Sequence, residues 1–153
     1  DRIDTIVLAG LGGRTIVRLL GAAEAESPAL KLLVLQPRSE PALTRLWLSN
    51  HGWRPFGERL TLERGRFHLT LAAARGDDTE LYAHPSLRRE DLLAAGPLLV
   101  RSGSPEIGRY WRSEQVRLAG IVAGSRSGPS SVRARDDLAR ALRVIAVISP
   151  PGE

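Results

Sequence analysis

A chain of 153 residues with 42% hydrophobic and 25% charged residues is long enough for one domain with a real core, or for one domain and a small appendage. Its apolar runs are too short to span a membrane, its composition is not that of a disordered chain, and without cysteine it has neither a disulfide framework nor thiolate chemistry. Three scattered histidines make no metal-ligand spacing, and a net charge of +5 carried almost wholly by arginine, with Lys31 the single lysine, favours a polyanionic partner such as RNA.

Thr5 to Ala9 is a mostly apolar, β-branched run that suits a strand buried on both faces, and Gly10, Gly12 and Gly13 follow within four positions. The period then changes, because Ile16, Val17, Leu19 and Leu20 fall on one side of a helix, so the unit reads strand, tight glycine turn, helix. The turn is not a dinucleotide fingerprint: the sixth residue from Gly10 is Thr15, and the next strand ends in Gln36-Pro37 with no acid for a ribose. Two readings remain, glycines that seat a helix close to a strand and glycines that admit a ligand. Gly21 to Ser27 reads as a loop and Leu30 to Gln36 as a second buried strand ended by Pro37.

Ser39 is a good N-cap, Pro41 fits a first helical turn, and Leu43, Leu46 and Trp47 make an apolar stripe before the helix closes at Asn50-His51-Gly52. Trp47 and Trp53 read as core aromatics. Arg54 to Leu62 and Phe67 to Ala74 alternate around Arg64-Gly65, which predicts an antiparallel hairpin at the sheet edge. Arg75 to His84 is polar. Arg88 to Ala95 predicts a short helix stopped by Gly96-Pro97, and Ser104-Pro105 caps a longer one with the stripe Ile107, Trp111, Leu118 and Val122. Gly124 to Ser131 reads as a linker, and Val132 to Ile148 as a helix with Leu138, Leu142 and Ile145 on one face, giving an antiparallel helix hairpin.

The segments Ala9-Gly10-Leu11-Gly12-Gly13, Val34-Leu35-Gln36-Pro37-Arg38, the stretch from Leu46 to Trp53, and Glu63-Arg64-Gly65-Arg66-Phe67-His68, in this order and spacing, resemble one family. They are similar to the bacterial tRNA (adenine(22)-N1)-methyltransferases of the TrmK type, from about Asp4 to about Leu118. Arg38 stands where that family has Asn, Leu11 where it has Met, Phe67 for Tyr and His68 for Glu.

The resemblance implies an α/β fold, the C-terminal portion of a Rossmann-like class I methyltransferase sheet with two parallel strands and a terminal antiparallel hairpin. Residues 1–76 would be the second half of the methyltransferase domain and 85–153 a helical appendage. It implies S-adenosyl-L-methionine as cofactor and tRNA as partner. Ala9, Gly10 and Leu11 would border the cofactor, and Gly12, Gly13, Gln36, Pro37 and Arg38 would form the catalytic strand ends. Gln36 has an amide that both donates and accepts, as an adenine edge requires. Methyl transfer to adenine N1 needs the lone pair in line with the sulfonium methyl, so positioning supplies much of the catalysis and few acid–base groups are needed. Asp4 lies at the far end of its strand and reads as structural.

Arg66 and His68 in the hairpin, and Arg109, Arg112, Arg117, Arg133, Arg135, Arg140 and Arg143 in the appendage, suit phosphate contacts or simply solvate helix faces. The family's cofactor loop and the strand carrying the ribose acid precede the glycine turn and are absent between Asp1 and Thr5. The expectation is therefore a fragment lacking about 80 residues at roughly 30 per strand–helix–strand unit, inactive alone, with cytoplasm as the compartment. The competing reading is a non-catalytic RNA-binding or partner-binding remnant of the same fold.

Overall fold

The computed structural model describes residues 3–124 and 128–149. Four strands form one mixed sheet in the order β1-β2-β4-β3: β1 is Thr5–Gly12, β2 Leu32–Ser39, β3 Trp53–Glu63 and β4 Arg66–Arg75. β1 and β2 are parallel with Val7 opposite Val34 and Ala9 opposite Gln36, and β4 enters antiparallel between β2 and β3. The expected α/β architecture of two parallel strands and a terminal hairpin is thus present. The hairpin turns on Arg64 and Gly65, both at positive φ (48° and 77°), the two-residue geometry that matches strand twist.

Side-chain alternation divides the sheet. Leu33, Leu35, Leu71 and Ala73 are wholly buried on one face, beneath α1 (Gly13–Glu26) and α2 (Pro41–Asn50), whose Ile16, Leu20, Trp47 and Leu48 join the same core. Val7, Val34, Ala72 and Ala74 on the other face are exposed or half-buried, so the burial on both faces expected for Thr5 to Ala9 is not found: among the described residues no element covers that face of β1.

Several boundaries differ from the sequence expectation. The first strand runs on to Gly12, and the glycines make a bulge in it rather than a separate turn: the register against β2 shifts between Ala9 and Leu11 and again before Gly12. Helix α1 starts directly at Gly13 and absorbs the expected loop from Gly21, because Ala22, Ala23 and Ala25 are strong helix formers; Leu19 faces solvent. Pro37 does not end β2, which continues to Ser39. Proline is tolerated there because β4 pairs only with Leu32 to Leu35 and the β1 bulge lies opposite. Ser39 therefore belongs to the strand, and Glu40, at φ 51°, caps α2 ahead of Pro41.

The inner face of α2 is Thr44, Arg45, Trp47 and Leu48, whereas Leu43 and Leu46 are half-buried. Beyond the sheet, the polar stretch contains a 3-10 turn at Thr79–Tyr82 whose Leu81 and Tyr82 are buried. Then follow α3 (Arg89–Ala95), an additional short α4 (Pro97–Ser102), α5 (Pro105–Gly124) and α6 (Pro129–Ile148). The expected linker is shorter than its composition suggests, since Pro129 to Ser131 open α6; residues 125–127 lie outside the described residues. The inner face of α6 is Ala134, Ala141 and Val144, with Leu138 and Ile145 half-buried; Leu142 is exposed, because α6 presents small residues where it meets α5. No helix among the described residues is long and apolar enough to cross a membrane.

Candidate active site at the strand ends

The parallel pair ends its two strands side by side, and this edge gathers the residues singled out from the sequence. Ala9 pairs with Gln36, Leu11 with Pro37 and Gly12 with Ser39, so Gly10 to Gly13 and Gln36 to Arg38 form one rim. The three glycines differ in role. Gly10 sits at φ 72° with nothing within 4 Å of where a Cβ would project, so it bends the bulged strand and leaves open space at the rim. Gly12, with φ −68°, precedes the helix in ordinary extended backbone, and a Cβ there would lie 3.1 Å from Ser39 Oγ. Gly13 is fully packed: its Cβ would stand 2.6 Å from the Glu40 carbonyl oxygen and 2.8 Å from that of Ser39. The positive-φ requirement thus falls on Gly10, while Gly12 and Gly13 hold the start of α1 against the β2–α2 junction.

Gln36 projects from the open face of the sheet and Pro37 from the helix-covered face, as strand alternation demands. Arg38 is exposed, with no ion-pair partner among the described residues, and Arg14 binds Glu40 at 3.1 Å beside it. The hairpin tip lies at this same end, since β4 runs antiparallel to β2 and begins at Arg66. Arg66 and His68 share one face of the hairpin with Arg59, and Phe67 projects from the other, meeting Tyr110 of α5 edge-to-face at 5.4 Å between ring centroids.

The arginines of the helical segment separate into two groups. Arg143 makes a two-pronged contact to the buried Asp91 (3.0 and 2.7 Å), Arg140 pairs with Asp137 at 2.6 Å and approaches Asp91 at 3.6 Å, Arg117 grips Glu114 at 2.7 Å, and Arg112 donates to the Gly108 carbonyl of its own helix. Burial of Asp91 pushes its pKa up, but hydrogen bonds from Arg143 and from the Arg88 backbone outweigh it and hold the carboxyl below its ordinary value. Arg109, Arg133 and Arg135 are exposed and have no ion-pair partner among the described residues.

One pair beneath the site had no signal in the hydrophobic pattern. Arg45 and Glu58, whose side chains are 1% and 0% exposed, meet at 2.7 Å; Arg45 also donates to the Leu93 carbonyl, and the Leu98 N–H donates to Glu58. Gly96, at φ 90°, makes room for them, since a Cβ would lie 2.7 Å from the Arg45 guanidinium. A second cluster closes the opposite end of the molecule, where Glu24 accepts hydrogen bonds from His51 and Trp53 and an ion pair from Arg75.

Comparison with known proteins gives the following. A family model described as TrmK, tRNA (adenine(22)-N(1))-methyltransferase, matches residues 1–146. The tRNA (adenine(22)-N(1))-methyltransferase of Bacillus subtilis is 29% identical over 111 residues, 72% of this chain and 46% of that protein. The crystal structure of the B. subtilis tRNA methyltransferase TrmK superposes with a TM-score of 0.80 at 23% identity, over 93% of this chain and 63% of the other. The structure of M. capricolum TrmK in complex with S-adenosyl-homocysteine gives 0.68 at 16% identity, over 96% and 62%. This chain therefore spans about half the length of the curated relative and about three fifths of the solved chains.

Proposed function

This chain belongs to the TrmK family of tRNA (adenine(22)-N(1))-methyltransferases, and from that premise we propose that it forms the second half of a methyltransferase acting on N1 of a tRNA adenine, together with its helical appendage. The observation that carries the reading is the rim itself: the family-like segments around Gly10 and around Gln36 are separate in sequence and lie on adjacent strand ends. The rim fits one side of a cofactor pocket, because Ala9 and Gly10 are exposed and Gly10 has an empty space where other residues carry a side chain. Ala9, Gly10 and Leu11 would border S-adenosyl-L-methionine, which when bound supplies an electrophilic methyl group on sulfur.

The chain's own contribution is positional. Gly12 and Gly13 fix where α1 begins, Gln36 offers an amide donor and acceptor to a base edge, and Arg38, without an ion-pair partner among the described residues, offers a positive charge to a phosphate. Two carboxylates beside the rim are held by arginines, Glu40 by Arg14 and Glu114 by Arg117, which suits a transfer needing little acid–base help. Arg66, Arg109, Arg133 and Arg135, exposed and without an ion-pair partner among the described residues, suit tRNA phosphates.

The test measures cofactor binding and methyl transfer separately. Calorimetry on the 153-residue chain is expected to show no micromolar binding of S-adenosyl-L-methionine, because this chain provides one wall of the pocket. A protein that joins this chain to a cofactor loop of the family form is expected to methylate adenine N1 in a tRNA transcript. If the joined protein binds the cofactor and tRNA but transfers no methyl group to N1, the reading fails and the non-catalytic RNA-binding remnant takes its place.

A further inference from the structure

Beside the rim, lined in part by its Pro37 and Arg38, lies a cavity of about 110 Å³. Its walls are mostly apolar, with Pro37, Pro41, Leu69, Phe67 and Tyr110 among them; of its two arginines Arg45 is held by Glu58, and Arg38 has no ion-pair partner among the described residues. It shares Arg38, Pro41, Ala94 and Tyr110 with a wider groove of about 490 Å³ running between the β2–α2 junction and the α5–α6 pair. The charges along that groove can be accounted for one by one. Glu40 is bound by Arg14, Glu114 by Arg117 and Asp137 by Arg140, which leaves Arg38 as the ionised side chain of the lining with no partner among the described residues.

We propose that this slot holds one unstacked nucleobase of an RNA substrate against the ring of Tyr110, with Phe67 bracing that ring edge-to-face and Arg38 on the attached phosphate. An apolar slot with an aromatic wall and a single unpaired arginine at its mouth has the composition of a single-stranded base site: aromatic faces take the base, whatever its identity, and the cation takes the backbone. A buried peptide side chain would use the apolar walls and leave Arg38 without a role. The edge-to-face packing of Phe67 against Tyr110, and of Tyr110 against Trp111 at 5.5 Å, fixes the tyrosine ring before anything binds. The slot is continuous with the rim, because Pro37 and Arg38 follow Gln36 directly and Ser39, which lines the groove, is the residue that Gly12 abuts.

This inference deepens the tRNA methyltransferase reading and rests on it for the substrate class. It gives α5 a part in holding a base, separate from phosphate binding along the helices.

The experiment needs no cofactor. Binding of the 153-residue chain to a short single-stranded RNA with one central adenine is compared with binding to the same RNA carrying an abasic residue there, read by fluorescence anisotropy. Stacking should favour the adenine probe by about 5- to 150-fold. Tyr110→Ala should abolish that preference, Tyr110→Phe should keep it, and Arg38→Ala should weaken both probes alike and lower the salt slope by about 0.7. If Tyr110→Ala loses its fold, Tyr110→Leu keeps the bulk and removes the stacking face.

Equal affinity for the two probes, or a preference that survives Tyr110→Ala and Tyr110→Leu, overturns the proposal. A base preference in a joined protein that transfers no methyl group would refute the catalytic reading alone. Methyl transfer without a base preference would refute the slot alone.

Discussion

The packing of Gly13 sets up a sharp contrast between neighbouring glycines. In Gly13→Val the new Cβ starts 2.6 Å from one backbone oxygen and 2.8 Å from another, and two further methyl groups must fit beyond it. Neither oxygen can retreat easily, because Glu40 is held at φ 51° and the following Pro41 has a ring-fixed φ. Forcing extra carbons into such a contact costs about 3 kcal/mol, which for a chain of this size lowers the melting temperature by about 6–12 °C. Gly12→Ala meets only the hydroxyl of Ser39 at 3.1 Å, which can rotate away, and should stay within about 1 kcal/mol of the parent. Thermal unfolding followed by circular dichroism on both variants is the assay. A Gly13→Val protein that melts within about 2 °C of the parent would refute the packing argument. It would also restore the alternative, in which valine at this position blocks a ligand and leaves the fold intact.

Removing one partner of the buried Arg45–Glu58 pair, as in Glu58→Gln, should cost about 3–5 kcal/mol in chemical denaturation, whereas the double variant Arg45→Met with Glu58→Leu should recover much of that loss. Asp91 has a folded-state pKa held below its ordinary value, so its contribution is present above that value and disappears as pH falls through the folded pKa. Melting temperature against pH should therefore decline on the acid side, and Asp91→Asn should be less stable at neutral pH with a flatter acid limb; an unchanged limb would show that the contact to Arg143 contributes nothing. For tRNA binding, Arg66→Ala and Arg109→Ala should each lower the salt slope by about 0.7 to 0.9. Arg143→Ala should lower stability and leave the slope in place, and the reverse pattern would reassign the phosphate contacts. The outer edge of β1 has no strand partner among the described residues and Val7 is 64% exposed, so the chain should self-associate as concentration rises in sedimentation velocity, and a monomer throughout would contradict this.

Elements that rest on local chemistry were legible in the sequence. The β-branched run at Thr5, the Arg64-Gly65 turn between alternating segments, and the Ser104-Pro105 start of α5 each carry a signal that no tertiary contact has to supply. Tertiary context decided the rest. Pro37 looks like a strand terminator until the bulge opposite it removes the demand for its N–H. Leu142 looks like core until α6 packs through Ala141 and Val144. Arg45 is the most consequential omission, because a charged residue inside a helical pattern gives no core signal unless its partner Glu58, thirteen residues away on β3, is placed against it. Within the site, the rim could be named from motif spacing, but the division of labour among Gly10, Gly12 and Gly13 depends on φ angles and on the Ser39–Glu40 backbone. The slot joining Phe67 to Tyr110 brings together residues from two distant segments that no periodicity links.

The apolar core that begins at Leu33 and Leu35 continues without a break through Leu92, Leu99 and Ile107 to Leu118, Ala141 and Val144. The helical pair is consequently no detachable module. Cutting the chain before Ser104 would strip the cover from Leu99 and remove Ile107 from the floor beneath β3, leaving a sheet that cannot keep its own interior dry. In this lineage the sheet and the helices have to be inherited as one piece. A transplanted α5–α6 pair would arrive without Asp91 to anchor Arg143, and a sheet given foreign helices would lose the tyrosine that faces Phe67. Sequence change in the two parts should therefore be correlated across this seam, with Asp91 tracking Arg143 and Phe67 tracking Tyr110.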